Sequence, residues 1–307
     1  MYTDIIIGFD GSPAGHDALA LGRRLALTTG ASTTVVCVHP HQPPTANVTA
    51  GAAVALSGRT GAERALDQAR RTMDDVPDVR FHAKAETSPA RALREAAMEA
   101  AAAVIVIGST HRRGLARAAG TTADRIICAA PCAVAVAPVG YADRGEPSLL
   151  GAVGAAVDGG SETERVARVA ARIARGARAR LRLLVVVGHE GAAPSTRANP
   201  LGSPLRTAVR RNADRVLDRA VAVAGPDADV QRRVVEGPPA TTIVAAANDL
   251  DLLVVGSRGR GPLRRVMLGT VGGAVLRDAG CPVLAIPRRV PEQLDVSIAA
   301  VAQGAAH

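Results

Sequence analysis

Aromatic side chains are almost missing from this chain of 307 residues: two Phe, two Tyr and no Trp. That scarcity excludes an aromatic stacking platform for single-stranded nucleic acid. It also means that any core is built from Ala, Val, Leu and Ile, which suits layers of sheet and helix. Lysine is almost missing as well: Lys84 is the only one among 37 Lys and Arg residues. With no lysine in a glycine-rich loop, a Walker-type G-x4-G-K-[S/T] cradle is excluded. The arginines give a formal charge of +9 and a pI near 10.7. So complete a preference for Arg over Lys reads as coding-genome composition and a solvated basic surface, and no nucleic-acid partner is expected.

Long apolar runs are absent too. Nowhere do 18 apolar residues follow one another, so no membrane span is expected. The opening "MYTDIIIGFDGS" carries Asp4 and only a three-residue apolar run before Gly8, which does not make a signal peptide. Cysteines are few. Cys37, Cys128, Cys132 and Cys281 follow no zinc-ligand spacing. They read as buried free thiols of a protein in a reducing cytoplasm.

What the chain does contain, it contains twice. "AETSPARALREAA" resembles "VEGPPATTIVAAA", and "AAVIVIGSTHRRGLARAAGTTADRIICAAPCAVAVAP" resembles "DLLVVGSRGRGPLRRVMLGTVGGAVLRDAGCPVLAIP". Asp10 and Asp158 are 148 positions apart, Glu86 and Glu236 150, Gly108 and Gly256 148, Cys132 and Cys281 149. So steady an offset means a duplicated unit of about 145 residues. The units are expected to be residues 1–141 and 149–290. Pro138, Gly140, Gly145 and Pro147 punctuate a polar join between them.

Within the second copy, strands and helices alternate. Ala152 to Val157 reads as a strand, and Ser161 with Glu164 as a capping box. Val166, Val169, Ala170 and Ile173 then mark one apolar helix face, closed by Gly176. Leu181 to Val187 and Val230 to Val235 are further strands. Leu250 to Val255 is apolar enough to be covered on both faces, as in a parallel sheet. "CPVLAIP" is the fifth strand. The expected fold is α/β: two tandem doubly wound domains, each with a five-stranded parallel sheet. The apolar fifth strands are edges that invite pairing, and the two copies are expected to pair them within one chain. The expected particle is a pseudo-dimeric monomer, with a homodimer as the larger alternative.

In such sheets, ligands sit beyond the carboxyl ends of the strands. Three loops of the second copy converge there: the one after Asp158, the one after Val187, and "GSRGRG", which is Gly256, Ser257, Arg258, Gly259, Arg260 and Gly261. Glycines let backbone approach an oxyanion without a Cβ in the way. Gly269 and Thr270 then open a helix, where free N–H groups favour an anion. A dinucleotide fingerprint is excluded, because the first strand leads into "GFDGS" or "AAVDGGS" and not G-x-G-x-x-G. No G-x-S-x-G elbow occurs.

The spacing Gly256-x2-Gly259-x9-Gly269-Thr270 resembles the G-x2-G-x9-G-[S/T] motif of the universal stress protein family, ATP-binding type. The aspartate after strand one and "CPVLAIP" resemble that family as well. The resemblance implies a module that binds ATP, with Mg2+ as a candidate companion. The aspartate and the strand-two backbone would serve the adenine end, and the glycine motif the ribose and phosphates. Carried over, this names Asp158, Val187, Gly256, Gly259, Gly269 and Thr270; Ser257, Arg258, Arg260, Gly261 and Val271 join them because the same backbone passes the phosphates. The first copy departs from the motif. Its corresponding set is Gly8, Asp10, Val38, Gly108, His111, Gly114, Gly120 and Thr121, but His111 replaces the second glycine and the loop is one residue shorter. A weaker or altered site is expected there.

An enzyme needs a positioned base, nucleophile or metal, and no carboxylate pair, His cluster or Cys–His couple lies near the glycine loop. ATP is therefore expected as a regulatory ligand of a cytoplasmic stress-response module that acts on an unidentified protein partner. A slow ATPase or phosphotransfer enzyme, and an interaction scaffold with vestigial pockets, stand as alternatives.

Overall fold

The computed structural model describes residues 4–40, 48–110, 125–127, 130–145, 149–188, 203–257 and 269–287. The first repeat runs β1 (Ile5–Gly8), α1 (Pro13–Thr29), β2 (Thr33–His39), α2 (Val48–Thr72), β3 (Val79–Ala85), α3 (Pro89–Glu99), β4 (Val104–Gly108) and β5 (Ala133–Ala137). The second runs β6 (Ala152–Ala156), α4 (Thr163–Ala177), β7 (Arg180–Val187), α5 (Ser203–Ala224), β8 (Val230–Glu236), α6 (Pro239–Ala246), β9 (Leu252–Gly256), α7 (Thr270–Asp278) and β10 (Val283–Ile286).

Each repeat lays its five strands parallel, in the order β3-β2-β1-β4-β5 and its mirror β10-β9-β6-β7-β8. The fifth strands then meet antiparallel, with Val136 opposite Val283, Ala135 opposite Leu284 and Val134 opposite Ala285. One ten-stranded sheet results. Both strands are buried along their whole length. The pairing satisfies backbone groups that an open apolar edge would leave exposed, as the sequence pattern predicts.

The helix on the first strand shows why these elements form where they do. Ser12 opens α1, its Oγ accepting the Gly15 N–H at 3.1 Å, with Pro13 at the first helical position. Gly30 closes it in the left-handed region. The second repeat differs from the sequence reading at both ends of α4. Ser161 is not the cap: Glu162 precedes the helix and makes no side-chain capping bond. Gly176 does not end the helix either; Arg178 does, at φ 52°. The apolar face of Val166, Val169, Ala170 and Ile173 is buried as expected and continues through Ala174 and Ala177. Carrying that face one turn further outweighs the roughly 1 kcal/mol that a helical glycine costs.

The two sides of the sheet are packed differently. On one side α1, α2, α4 and α5 share a single apolar core that runs across both repeats. On the other, the two repeats keep separate clusters, one around Leu93, Ile105 and Ile107, the other around Ile243, Leu253 and Val255. The shared side includes the junction. Tyr141 and Leu150 are buried in it, at 3% and 2% exposure, so the segment that reads as a polar join is partly core.

Candidate functional site

From β6 the chain moves to β7 on one side and returns to β9 on the other. The topological switch point of the second repeat therefore lies between β6 and β9, and that of the first between β1 and β4. Ligands of doubly wound folds bind beyond the carboxyl ends at this place. Ala156 of β6 pairs with Val255 of β9, so Asp158 and Gly256 leave the sheet side by side. Asp10 and Gly108 are their counterparts.

The local backbone fixes the orientation of both aspartates. Asp158 Oδ1 accepts the Gly160 N–H at 2.8 Å and the Thr163 hydroxyl at 3.4 Å. Thr163 Oγ1 in turn accepts the Gly159 N–H at 2.9 Å. In the first repeat, Asp10 Oδ1 accepts the N–H and the hydroxyl of Ser12, at 3.0 and 2.5 Å. Both aspartates are solvent-exposed while the hydroxyls that hold them open or cap the next helix. Sequence reading missed Thr163 and Ser12. The available signal is a hydroxyl residue shortly after each aspartate. Beside Asp10, burial and then the carboxylate's charge push the Cys37 thiol up to about 11, which keeps it protonated and unreactive.

Val187 and Val38 lie half-buried at the carboxyl ends of β7 and β2. The Val187 carbonyl accepts the Gly237 N–H at 3.1 Å. Ser257 is buried, and its N–H donates to the Ile286 carbonyl at 3.0 Å, so the glycine loop departs from a strand tied to β10. Ser109 makes the matching bond to Ala137 at 2.9 Å.

The strand-end glycines have a packing reason that the sequence did not show. A Cβ at Gly256 would lie 3.1 Å from Glu162 Cβ and 3.3 Å from Val166 Cγ2, on the helix side of the sheet. One at Gly108 would run into the Ala14 backbone, 2.5 Å from its carbonyl carbon. One at Gly8 would meet Leu93 Cδ1 at 2.9 Å. These glycines admit a neighbouring side chain or helix turn, so packing alone already calls for them. Gly269 precedes α7 with no side-chain cap, and its carbonyl accepts the Gly273 N–H at 2.9 Å. The leading N–H groups of α7 thus have no acceptor within the helix. Thr270 is exposed there, and Val271 packs against the second repeat's core. Arg258, Gly259, Arg260 and Gly261, and in the first repeat His111, Gly114, Gly120 and Thr121, lie outside the described residues.

Among the described residues no three His, Cys, Asp or Glu side chains cluster as metal ligands, and no helix is long and apolar enough to cross a membrane. A concavity of about 360 Å3 lies elsewhere, at the amino ends of β9 and β10, lined by Arg24, Tyr141, Arg144, Asp251 and Cys281 among others. It is part of the junction and stands apart from the switch points.

The fold is shared with known proteins. The chain is 28% identical over 296 residues to a universal stress protein of Mycobacterium tuberculosis, covering 92% of this chain and 99% of that one. A second Mycobacterium tuberculosis universal stress protein is 42% identical over 57 residues, 19% of each chain. Among solved structures, a universal stress protein from Archaeoglobus fulgidus superposes with a TM-score of 0.64 at 17% identity, covering 93% of this chain and 98% of that one. The model of the universal stress protein family matches residues 1–138 and again 151–287. Two copies of that domain account for nearly the whole sequence, and the chain belongs to the universal stress protein family.

Proposed function

We propose that the second repeat binds an adenine nucleotide, ATP in the first instance, beyond the carboxyl ends of β6, β7 and β9. What supports this reading is a coincidence of motif and topology. Gly256, which begins the G-x2-G-x9-G-T spacing, closes β9 beside Asp158 at the switch point, and Gly269-Thr270, which ends it, opens α7 with N–H donors that have no acceptor within the helix. The exposed Asp158 carboxylate and the Val187 backbone take the base and sugar end. Ser257 through Gly261, with Gly269, Thr270 and Val271, take the phosphates. A single nearby carboxylate is a thin metal site, so Mg2+ would arrive with the phosphates. In the first repeat Gly8, Asp10, Val38 and Gly108 keep the frame, but His111 puts a side chain where the motif has glycine, and its affinity is lower. The repeats correspond to residues 1–141 and 149–290, and the protein acts in the cytoplasm as a nucleotide-dependent regulator in the stress response, without efficient turnover.

Native mass spectrometry of freshly purified protein, followed by identification of the released ligand, tests the reading. One adenine nucleotide per chain is expected, lost in Gly259→Glu and kept in His111→Glu. A chain that carries no nucleotide and binds none in calorimetry would overturn it. Steady release of phosphate from added ATP would instead favour the ATPase alternative.

A further inference from the structure

The strand ladder between the repeats is short, three residue pairs of β5 and β10, beside the apolar core that they share. Beside it, one face of α1 carries two buried charged residues seven positions apart, Asp17 and Arg24, each 3% exposed. Both grip the junction. Asp17 Oδ2 accepts the Gly140 N–H at 2.9 Å and Oδ1 the Ala142 N–H at 2.8 Å. Arg24 donates to the Tyr141 hydroxyl at 2.9 Å and the Leu149 carbonyl at 3.0 Å. Its Nη2 also meets Asp251 Oδ1 of the second repeat at 2.9 Å, while Asp251 Oδ2 accepts the N–H groups of Gly151 and Ala152, both at 2.8 Å. Asp251 has Ala103 at its counterpart position, 148 residues earlier, so this ion pair exists once and not twice.

These contacts fall into two kinds. The Arg24–Asp251 pair and the β5–β10 ladder join repeat to repeat, and would form equally well if the two repeats came from different chains. The contacts of Asp17 and Arg24 with Gly140, Tyr141, Ala142 and Leu149 instead hold the described ends of the connecting segment against α1. From Ala137 to Ala152 the chain takes 15 steps from one residue to the next, with an extended reach of about 50 Å at ~3.3 Å per step. Released, it is long enough to let the second repeat leave its own β5. Domain swapping is the low-cost outcome when a hinge segment no longer favours the closed form.

We infer that α1 is a clasp on the junction, and that Asp17 and Arg24, by holding Gly140, Tyr141, Ala142 and Leu149, keep the seam intramolecular; without that hold, β5 of one chain pairs with β10 of a second copy in a reciprocal dimer. The freed partner surface is the apolar edge of each fifth strand, and a second copy of this chain offers the complement in the same register.

The test introduces Val136→Cys and Val283→Cys, opposite each other across the seam, into three backgrounds: the parent sequence, Asp17→Ala and Asp251→Asn. Each protein is held at several concentrations until its light-scattering mass is steady, oxidised mildly, and run on a non-reducing gel beside the same background without the added pair. The parent is expected to cross-link within the chain and remain a monomer. Asp17→Ala is expected to shift most of the cross-link to between chains as concentration rises about tenfold. Asp251→Asn weakens both arrangements alike, and is expected to stay monomeric. Intrachain cross-links only in folded Asp17→Ala, interchain cross-links in the parent, or as much dimer in Asp251→Asn as in Asp17→Ala would each overturn the inference. If Asp17→Ala does not fold, Tyr141→Phe, which removes one of Arg24's holds at constant shape, carries the same prediction at smaller amplitude.

Discussion

The glycines that end β4 and β9 occupy equivalent places in the two repeats, yet alanine should affect them very differently. At Gly108 the new Cβ falls 2.5 Å from the carbonyl carbon and 2.9 Å from the Cα of Ala14, where ordinary contact begins near 3.4 Å. Both partners are backbone. β4 is hydrogen-bonded on both sides, to β1 and β5, and Ala14 lies in the first turn of α1, fixed by the Ser12 cap. Neither can retreat by nearly an ångström without breaking these bonds. Overpacking typically costs about 1–3 kcal/mol, and Gly108→Ala is expected at or above the top of that range. At Gly256 the same atom meets only side-chain carbons at 3.1 and 3.3 Å. A shift of a few tenths of an ångström relieves it, and losing glycine's freedom in the unfolded chain offsets about 0.4–1 kcal/mol. Gly256→Ala is therefore expected within about 1 kcal/mol of the parent. At about 2–4 °C per kcal/mol for a unit of this size, Gly108→Ala lowers the melting temperature by roughly 6 °C or more, and Gly256→Ala by less than about 4 °C. Scanning calorimetry, with urea midpoints at constant m, measures both. If the two variants melt together, or Gly256→Ala melts lower, the reasoning from Cβ contacts fails.

Removing one partner of the junction ion pair should also be asymmetric: with side chains 4% and 26% exposed for Arg24 and Asp251, Asp251→Ala strands the more buried charge and is expected to cost about 3–5 kcal/mol, more than Arg24→Met, as urea unfolding of both and of the double variant will show. Burial would raise the Asp251 carboxyl, but hydrogen bonds from Arg24, Gly151 and Ala152 outweigh it and hold it below the ordinary carboxylate value. A lowered folded pKa stabilises above the unfolded value and is lost as pH falls through the folded one, so the parent's stability advantage over Asp251→Asn is expected to shrink below about pH 4. At the proposed nucleotide site, Arg258→Ala is expected to weaken ATP about fivefold or less, as for an exposed charge contributing roughly 0–1 kcal/mol. Gly269→Val, at the entry to the α7 donors, should cost far more in titration calorimetry, and the reverse ranking would make the loop a side-chain clamp.

The sequence made the sheet legible because its signals are local. The periodic face of Val166, Val169, Ala170 and Ile173, the unbroken apolar run into Val255, and the two short fifth strands each announce their burial within a few residues. The switch-point residues followed from the repeat and the strand order. What stayed hidden depends on partners remote in the chain. Arg24 and Asp251 are 227 positions apart, and on a helical pattern Asp17 and Arg24 read as solvated positions until the junction is folded over them. The reason for Gly108 was also unreadable, because only the approach of Ala14 shows that packing demands it. The ends of α4 escaped because Ser161 and Gly176 satisfy local capping rules that a longer buried face overrides.

The antiparallel seam has a further consequence for how the molecule meets its surroundings. Strands of the first repeat and of the second run in opposite senses where β5 meets β10. The carboxyl ends of β4 and β9 therefore leave the shared sheet at opposite ends of its strand ladder, and Asp10 and Asp158 leave with them. The two switch points therefore face away from each other along the strands. The duplication has set equivalent strand ends at opposite poles of one continuous sheet, and the loops after Gly108 and Gly256 have diverged in sequence.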